Sequence, residues 1–544
     1  MTAIPSTHWR LWTGIAIAIH FLLILLLGLS RHWGYMSSLN DLGVFDQAVW
    51  GTLNGQFLLN TSNQLSEPIN WLGFHFHPVL LLFVPLYAIA PFPEWFALAQ
   101  ALALSIAAWP IFLLTSRVCQ SEKAGLLWAL TYLVNPFLLN AAAWDFHPVA
   151  LAVPFVALGM LAVEKGDSRL LFLSCLPLLF IQEHLGLTVM GFGLLWRLRN
   201  KTWKPAIWLI LLGVAHAALV LGFIMPALSP TGEHMMLSSG LGANLSRYGW
   251  IGHSAGEVIQ ALLTRPLSII KMAMAMDGAV YLGLLLLPFL GLPLAAIPVL
   301  LPGLADLAAN LLSANSMPKS VFSYHSLVIV PVLTVAASYG AERISRRVKK
   351  FSVTEISGLA LTAGMVTGYG FAPLPLPGSS NFWEPSHFMG GPDPIMQVIR
   401  AATPANASVS AQANVGAHLS ERHEIYVYPN KIGQAGAIVL RLESPTKKLY
   451  PQDPGLLAAL AGHLQMRPAD YLASIECLLA SKEYGVTLWR DPWLIFSRGA
   501  ITTSSPRQEL ESKIMLLRKE WGVAADEYNA ALETCKKQGR DMQR

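Results

Sequence analysis

The chain has 544 residues, of which 54% are hydrophobic and only 13% are charged. Soluble domains carry about 25% charged residues, so the composition excludes an ordinary soluble enzyme and indicates an integral membrane protein. The net charge of +5 comes from basic residues scattered in short loops, with no basic patch among aromatic residues. It therefore predicts membrane orientation and no nucleic-acid partner.

The first apolar segment, residues 11–29, has about the 20 residues that a bilayer core requires. It lacks a small-residue cleavage site before its polar flank, so we predict a retained span that also acts as a signal anchor. The four cysteines show no CxxC spacing, which removes structural zinc and thioredoxin-type chemistry. Cys477 and Cys535 share a polar region, so the sequence permits a single disulfide between them without establishing it.

The positions of lysine and arginine predict the orientation of the chain. Cytoplasmic loops are enriched in these residues, so the basic segments and the N-terminus are expected in the cytoplasm, and the loops without them outside. The basic segments are 115–125, 164–169, 196–204 and 342–350. The predicted outer loops are 31–77, 140–147, 227–275 and 313–325.

Apolar runs predict about eleven spans within residues 1–375. Residues 170–196 run between two predicted cytoplasmic loops, so the chain must enter the membrane and return to the same side. The segment is too short for two full spans, which predicts two half-length helices with Glu183 near the turn between them. Segment 77–91 would break the charge parity as a full span and is expected to form a juxtamembrane or re-entrant helix. Residues 380–544 alternate in polarity around helical patterns, which predicts an extracytoplasmic soluble α/β domain. Its last helix is expected over 505–538, with Ser505 as its cap.

Ionisable side chains on the predicted outer face form the candidate site, because such groups are costly at membrane depth and usually have a function. Carboxylates serve as general bases or orienting groups, whereas histidines and cations bind polar or phosphorylated substrates. The candidates for catalysis are Asp41, Asp46, Asp145 and Glu183. The candidates for substrate binding are His75, His77, His147, His184, Arg265, Lys319, Tyr324 and His325.

Each candidate has a structural alternative. Asp41 is also suited to cap a helix, and Asp46 to an ordinary polar face. His75 and His77 fall on one side of an extended segment, where they either satisfy loop carbonyls or bind a divalent cation together with Asp145. Lys319 is the first choice for a phosphate contact among the outer cations, and an interfacial anchor is its alternative. Those cations are Arg247, Arg265, Lys271 and Lys319.

Several short motifs carry a resemblance to known families. The stretches are DLGVFDQAVW, HFHPVLLL, WDFHPVALAVP, IQEHLGLTV, SYHSLVIVPVLTVAA and VSAQANVGAHLSERHEIYVYP. They resemble an uncharacterised family of predicted prokaryotic membrane proteins, placed by similarity within the glycosyltransferase-C superfamily, and the resemblance extends to about residue 499. The chain has no P-loop or HExxH motif that would favour another reaction.

The resemblance implies a polytopic α-helical membrane enzyme of the plasma or inner membrane. Enzymes of that superfamily transfer a sugar from a polyprenyl-phosphate donor on the outer face, here to a lipid, glycan or protein acceptor among membrane lipids. By position, Asp41 matches the catalytic acidic residue and Asp145 the second acidic position. Leu42 stands where many relatives have a further acidic residue, which leaves the requirement for a metal open.

Two other functions fit parts of the sequence. A transporter also uses broken helices and a carboxylate at membrane depth such as Glu183, but the carboxylates cluster on one face and no inverted repeat is evident. A non-catalytic scaffold would use the C-terminal domain to bind partners in the cell envelope. Deleting that domain while testing Asp41→Ala would separate the scaffold from the enzyme.

Overall fold

A computed structural model describes residues 7–63, 66–232, 234, 247–443 and 456–541. The contacts within it divide the chain into two compact units. The first unit comprises Met1–Leu29, Asn70–Phe83 and Glu94–Phe388, and the second comprises Ser30–Ile69, Val84–Pro93 and Met389–Arg544. Parts of the predicted outer loop 227–275 and of the predicted domain 380–544 lie outside the described residues.

The second unit includes the first predicted outer loop, whereas the sequence suggested one boundary near residue 380. Hydrogen bonds explain the difference. The Gln47 amide donates to the carbonyl oxygens of Arg422 and His423, both at 3.1 Å. The Thr61 hydroxyl donates to the Ile425 carbonyl at 2.8 Å. Such long-range pairing leaves no trace in local hydropathy.

The first unit is helical and packs around one large apolar core. The first helix begins in it, and short 3-10 segments lie beside prolines, over Pro78–Phe83, Pro148–Ala152 and Leu292–Gly303. The α-helices are Thr7–Trp33, Trp71–Phe74, Glu94–Ile106, Ala108–Val118, Glu122–Leu133, Pro136–Ala142, Val153–Lys165, Ser168–Leu178, Leu185–Asn200, Lys204–Leu219, Met225–Leu228, Ala255–Thr264, Pro266–Ala273, Ala279–Leu286, Leu304–Leu312, Ile329–Val348 and Val353–Phe371.

Several helices are long and apolar enough to cross a membrane. Among the described residues there are five such helices, or six if the pair Glu122–Leu133 and Pro136–Ala142, bent by 49°, is one span. Three further apolar helices are shorter, so the described residues contain fewer full-length spans than the eleven or so that the sequence predicts. The chain is a multi-pass membrane protein. The five are His8–Trp33, Glu94–Val118, Pro148–Lys165, Lys204–Leu228 and Leu292–Leu312.

Two helices meet near Glu183 as expected, but only the first is half-length, because Leu185–Asn200 has 16 residues and is about 24 Å long. Ser168–Leu178 has 11 residues, which makes it about 16 Å long, roughly half of the hydrocarbon core. Leu185–Asn200 follows after a six-residue connection, 179–184. The Val79 amide donates to the Phe180 carbonyl at 2.8 Å, which holds the segment after His77 against this turn.

The second unit contains a five-stranded mixed sheet. Its strand order is Ile425–Val427, Val409–Ala411, Ala437–Arg441, Trp493–Arg498 and Tyr484–Arg490. The first three strands in this order are parallel to one another. The fourth strand, Trp493–Arg498, pairs antiparallel with the strands on both sides of it. Two short strands occur at Leu59–Asn60 and Ile69–Asn70. The helices of this unit are Leu39–Gly43, Val44–Leu53, Val84–Ile89, Ile395–Ala402, Ala413–Gly416, Leu456–Leu464, Pro468–Ala480, Ser504–Glu520 and Ala525–Asp541.

The C-terminal helix differs from the prediction. The structure has two helices, Ser504–Glu520 and Ala525–Asp541, in place of one over 505–538. Thr503 occupies the cap position without a side-chain hydrogen bond, so the assignment of Ser505 as the cap was wrong. Cys477 and Cys535 are bonded to each other, with their Cα atoms 6.5 Å apart.

Candidate functional site

Glu183 and the histidine segment around residue 75 meet in the first unit. The short helix Trp71–Phe74 is followed by His75, whose backbone is extended. The amide of the next residue, Phe76, is therefore available as a donor. The His75 Nδ1–H donates to Glu183 Oε1, and the Phe76 amide donates to Glu183 Oε2, both at 3.0 Å. Both carboxylate oxygens of Glu183 are therefore bound to this segment.

His77 lies beside this pair. Its ring is stacked on that of His75, with the centroids 5.2 Å apart and the planes 8° from parallel. The Trp71 indole N–H donates to His77 Nδ1 at 3.0 Å. An indole N–H can only donate, so Nδ1 of His77 carries a lone pair here.

The same three side chains have the geometry of a metal-binding group. One ligand atom from each of His75, His77 and Glu183 lies within 4.8 Å of the other two. Two imidazoles and a carboxylate are a donor set that divalent zinc prefers. The third possible ligand in this group is Glu183, whereas the sequence suggested Asp145 as the partner of the two histidines.

A second carboxylate and histidine pair follows directly along the chain. His184 Nε2 donates to Asp306 Oδ1 at 2.8 Å, and the Thr188 hydroxyl donates to Asp306 Oδ2 at 3.1 Å. Asp306 is only 4% exposed and lies in an apolar helix. Asp306 is not among the residues predicted from the sequence, although a lone carboxylate in an apolar run is a usable signal.

Three rings stack in the first unit, from two of the loops that the sequence predicts to be outside. Tyr324 lies between His147, at a centroid distance of 3.5 Å, and His325, at 4.2 Å. His147 Nδ1–H donates to the carbonyl of Asp145 at 3.0 Å. Burial lowers the pKa of His147 to about 4, although that hydrogen bond opposes the shift. At neutral pH this ring is therefore uncharged.

Arg247 is the cation that contacts this stack. Its Nη1–H donates to His325 Nε2 at 3.1 Å, which makes Nε2 the acceptor nitrogen of that ring. Burial, and then the charge of Arg247, hold the pKa of His325 well below its ordinary value. The stack thus presents a fixed guanidinium charge beside neutral rings.

The two cations preferred from the sequence have other contacts. Lys319 is buried and its Nζ donates to the Ser313 carbonyl at 3.0 Å. Arg265 is exposed and donates to the Ile251 carbonyl at 3.2 Å. Sequence analysis noted Arg247 among the outer cations without choosing it, because only the fold reveals its contact with His325.

Asp41 and Asp46 belong to the second unit. Asp46 is 1% exposed and accepts hydrogen bonds from the hydroxyls of Tyr87 and Ser420, both at 2.6 Å. Asp41 is half-buried in the turn Leu39–Gly43, whose cap is Ser38. Asp41 is therefore in the first helical turn and is not the cap.

No curated protein matches the chain. ArnT from Cupriavidus metallidurans, solved as a crystal structure bound to undecaprenyl phosphate, matches with a TM-score of 0.49 and 10% identity. The match covers 91% of this chain and 98% of that one. A family model described as predicted membrane protein (DUF2079) matches residues 31–444, and the chain therefore belongs to the DUF2079 family of predicted membrane proteins.

Proposed function

We propose that the chain is a membrane glycosyltransferase that transfers a sugar from a polyprenyl-phosphate donor to an acceptor outside the cytoplasm. The observation that carries the proposal is the concentration of charged and hydrogen-bonding side chains in the otherwise apolar first unit. Polar groups buried at such depth are costly and are usually retained for a function. The side chains concerned are His75, His77, His147, Glu183, His184, Arg247, Asp306, Tyr324 and His325.

Arg247 is suited to the phosphate of a lipid-linked sugar. A guanidinium forms short, charge-assisted hydrogen bonds with phosphate oxygens, and a contact with His325 holds it in place. A polyprenyl phosphate leaves as an anion, so the reaction needs positive charge more than a general acid. Carboxylates and neutral imidazoles in the same unit offer acceptors and donors for sugar hydroxyls.

Asp41 is the proposed general base, on the resemblance set out above. It takes the proton of the acceptor hydroxyl as the oxygen attacks the anomeric carbon, and the bond from that carbon to the phosphate oxygen breaks. The phosphate keeps the electron pair of that bond, and the sugar changes configuration. Asp145 is proposed to orient the substrates, whereas the hydrogen bonds of Asp46 favour a structural role for it.

The orientation follows the basic loops. With the N-terminus in the cytoplasm, the loops that carry His75, His147 and His325 lie outside, and so does the C-terminal domain. The bond between Cys477 and Cys535 supports this placement, because disulfides persist in oxidising compartments.

The test is turnover of labelled polyprenyl-phosphate sugars by purified protein in bilayers. Wild type is compared with Asp41→Asn and with Asp526→Asn, an exposed aspartate on the last helix. We expect transfer or donor hydrolysis by wild type and Asp526→Asn, and a loss of about 100-fold or more in Asp41→Asn. Equal rates in all three proteins would remove Asp41 as the base, and no turnover of any donor would contradict the enzyme.

A transporter is the second candidate, and one observation favours it. Asp306 lies within a helix long enough to cross the membrane and pairs with His184 at 2.8 Å. Buried pairs of this kind also form proton pathways. Proton-coupled flux in vesicles that disappears in Asp306→Asn, without turnover of any sugar donor, would favour transport over transfer.

A further inference from the structure

We propose that His75, His77 and Glu183 form a zinc-binding site in the first unit. Their ligand atoms lie within 4.8 Å of one another, close enough to converge on one ion after small side-chain movements. Three protein ligands leave a fourth position of a tetrahedral ion open to water or a substrate oxygen. The proposal does not depend on glycosyl transfer, because it concerns binding of the ion alone.

The pair of His75 and Glu183 already has nearly the spacing that zinc requires. His75 Nδ1 and Glu183 Oε1 are 3.0 Å apart and share a proton. Two ligands bound to tetrahedral zinc at about 2.1 Å are about 3.4 Å from each other. An ion can therefore replace the shared proton with a shift of a few tenths of an ångström.

The surrounding backbone holds these ligands in position. The Phe76 amide binds Glu183 Oε2 at 3.0 Å and leaves Oε1 to face the imidazoles. The Val79 amide binds the Phe180 carbonyl, so the segment that carries both histidines is attached to the turn that carries Glu183. A preorganised ligand set of this kind binds metal with less loss of conformational entropy.

The donor atoms select the class of ion. Imidazole nitrogens suit zinc and the later first-row metals, whereas magnesium and calcium prefer oxygen ligands. Two of the three ligands are imidazoles, from His75 and His77. We therefore expect zinc to bind far more tightly than magnesium.

Trp71 opposes binding through His77. Its indole N–H donates to His77 Nδ1. If zinc binds Nδ1, this hydrogen bond is displaced. If zinc binds Nε2, the neutral ring carries its proton on Nδ1, which then faces the indole N–H. Either mode requires Trp71 to give up its acceptor, so Trp71→Phe is expected to tighten zinc binding.

The test is a zinc titration of full-length protein in detergent after removal of bound metal, by competition with a fluorescent chelator. We expect one tight site per chain, at least about 100-fold weaker in His77→Ala and in Glu183→Gln, and a few-fold tighter in Trp71→Phe. His253→Ala removes an exposed histidine outside the group and should bind like wild type. Magnesium should not compete at millimolar concentration.

Three results would overturn the proposal. They are no tight site in wild type, unchanged affinity in His77→Ala and Glu183→Gln, and weakening in His253→Ala equal to that in the ligand variants. X-ray absorption of zinc-loaded wild type covers the case in which a variant fails to fold. Two imidazole ligands in its spectrum would support the site, whereas sulfur ligands or oxygen ligands alone would contradict it.

Discussion

Asp41 and Asp46 are five residues apart in the sequence and have different surroundings. Asp46 is buried and accepts two hydroxyl hydrogen bonds at 2.6 Å, from Tyr87 and Ser420. Such short bonds to a carboxylate are the strong kind. Asp41 is half-buried in the first turn of its helix. At this scale, Asp46 holds the second unit together and Asp41 remains the proposed base.

Asp46→Ala should therefore destabilise the protein. It leaves the hydroxyls of Tyr87 and Ser420 without their carboxylate, and we expect the free energy of unfolding to fall by about 3 kcal/mol. Asp526→Asn, at an exposed position, should change it by less than about 0.5 kcal/mol, as surface substitutions do. Thermal unfolding of both variants in the same detergent measures the difference. Equal stability of the two variants would contradict the structural role of Asp46.

His418 predicts how the stability of the second unit depends on pH. It is 8% exposed and stacks on His32 at 4.1 Å; burial, then the charges of neighbouring His32 and Arg400, hold its pKa well below 6.5. Below pH 6.5 the unfolded chain binds this proton and the folded chain does not, so stability falls as the pH drops from 6.5 toward the folded pKa.

His418→Gln should remove this part of the acid sensitivity. We expect the difference in melting temperature between pH 7.5 and pH 5 to be smaller in His418→Gln than in wild type. His253→Ala, which removes an exposed histidine, should keep the wild-type difference. An identical pH dependence of His418→Gln and wild type would show that the native ring accepts the proton.

Among the elements of the first unit, helix Ile329–Val348 packs closely on the proline-rich segment Leu292–Gly303. A Cβ atom added at Gly340 would overlap the Leu292 carbonyl oxygen, so only glycine permits this approach. Gly283, in a nearby helix, has no atom within 4 Å of an added Cβ. These two glycines form a matched pair for testing the packing.

Gly340→Ala should lower the free energy of unfolding by about 1–3 kcal/mol, because the backbone must move to relieve the overlap. Gly283→Ala should leave it unchanged or raise it by about 0.5–1 kcal/mol through helix propensity. Thermal unfolding in detergent compares the two variants. If Gly340→Ala were as stable as Gly283→Ala, that result would contradict the close approach of helix Ile329–Val348 to segment Leu292–Gly303.

Local signals in the sequence predicted some elements and missed others. Charge parity predicted that two helices meet near Glu183, because the positive-inside rule uses only the positions of lysine and arginine, but it did not predict the length of the second helix. The pairing of His184 with Asp306 spans 122 residues and depends on tertiary packing, which no local pattern encodes. For the same reason the choice of Arg247 over Lys319, and the place of the first outer loop in the second unit, required the structure.

For the whole molecule, the proposed orientation makes a prediction about cysteine chemistry. Cys477 and Cys535 lie in the domain proposed to be extracytoplasmic, and they are bonded. In intact cells a membrane-impermeant maleimide should label this pair only after reduction, and not in Cys477→Ser/Cys535→Ser. The other two cysteines, Cys119 and Cys175, are buried and should stay unlabelled. Labelling only after cell lysis would contradict the orientation, whereas labelling without reduction would contradict the bond between the two cysteines.

The most direct measurement on the whole protein is its affinity for a polyprenyl phosphate in bilayers, because the proposed reaction requires this leaving group to bind in the first unit. Arg247→Gln removes the cation beside His325, and Arg265→Gln removes an exposed cation bound to a backbone carbonyl. We expect Arg247→Gln to weaken binding by about 10-fold or more, as for a lost charge-assisted hydrogen bond, and Arg265→Gln to change it less than about 2-fold. Absence of binding to wild type, or equal weakening by both substitutions, would contradict a lipid-phosphate site at Arg247.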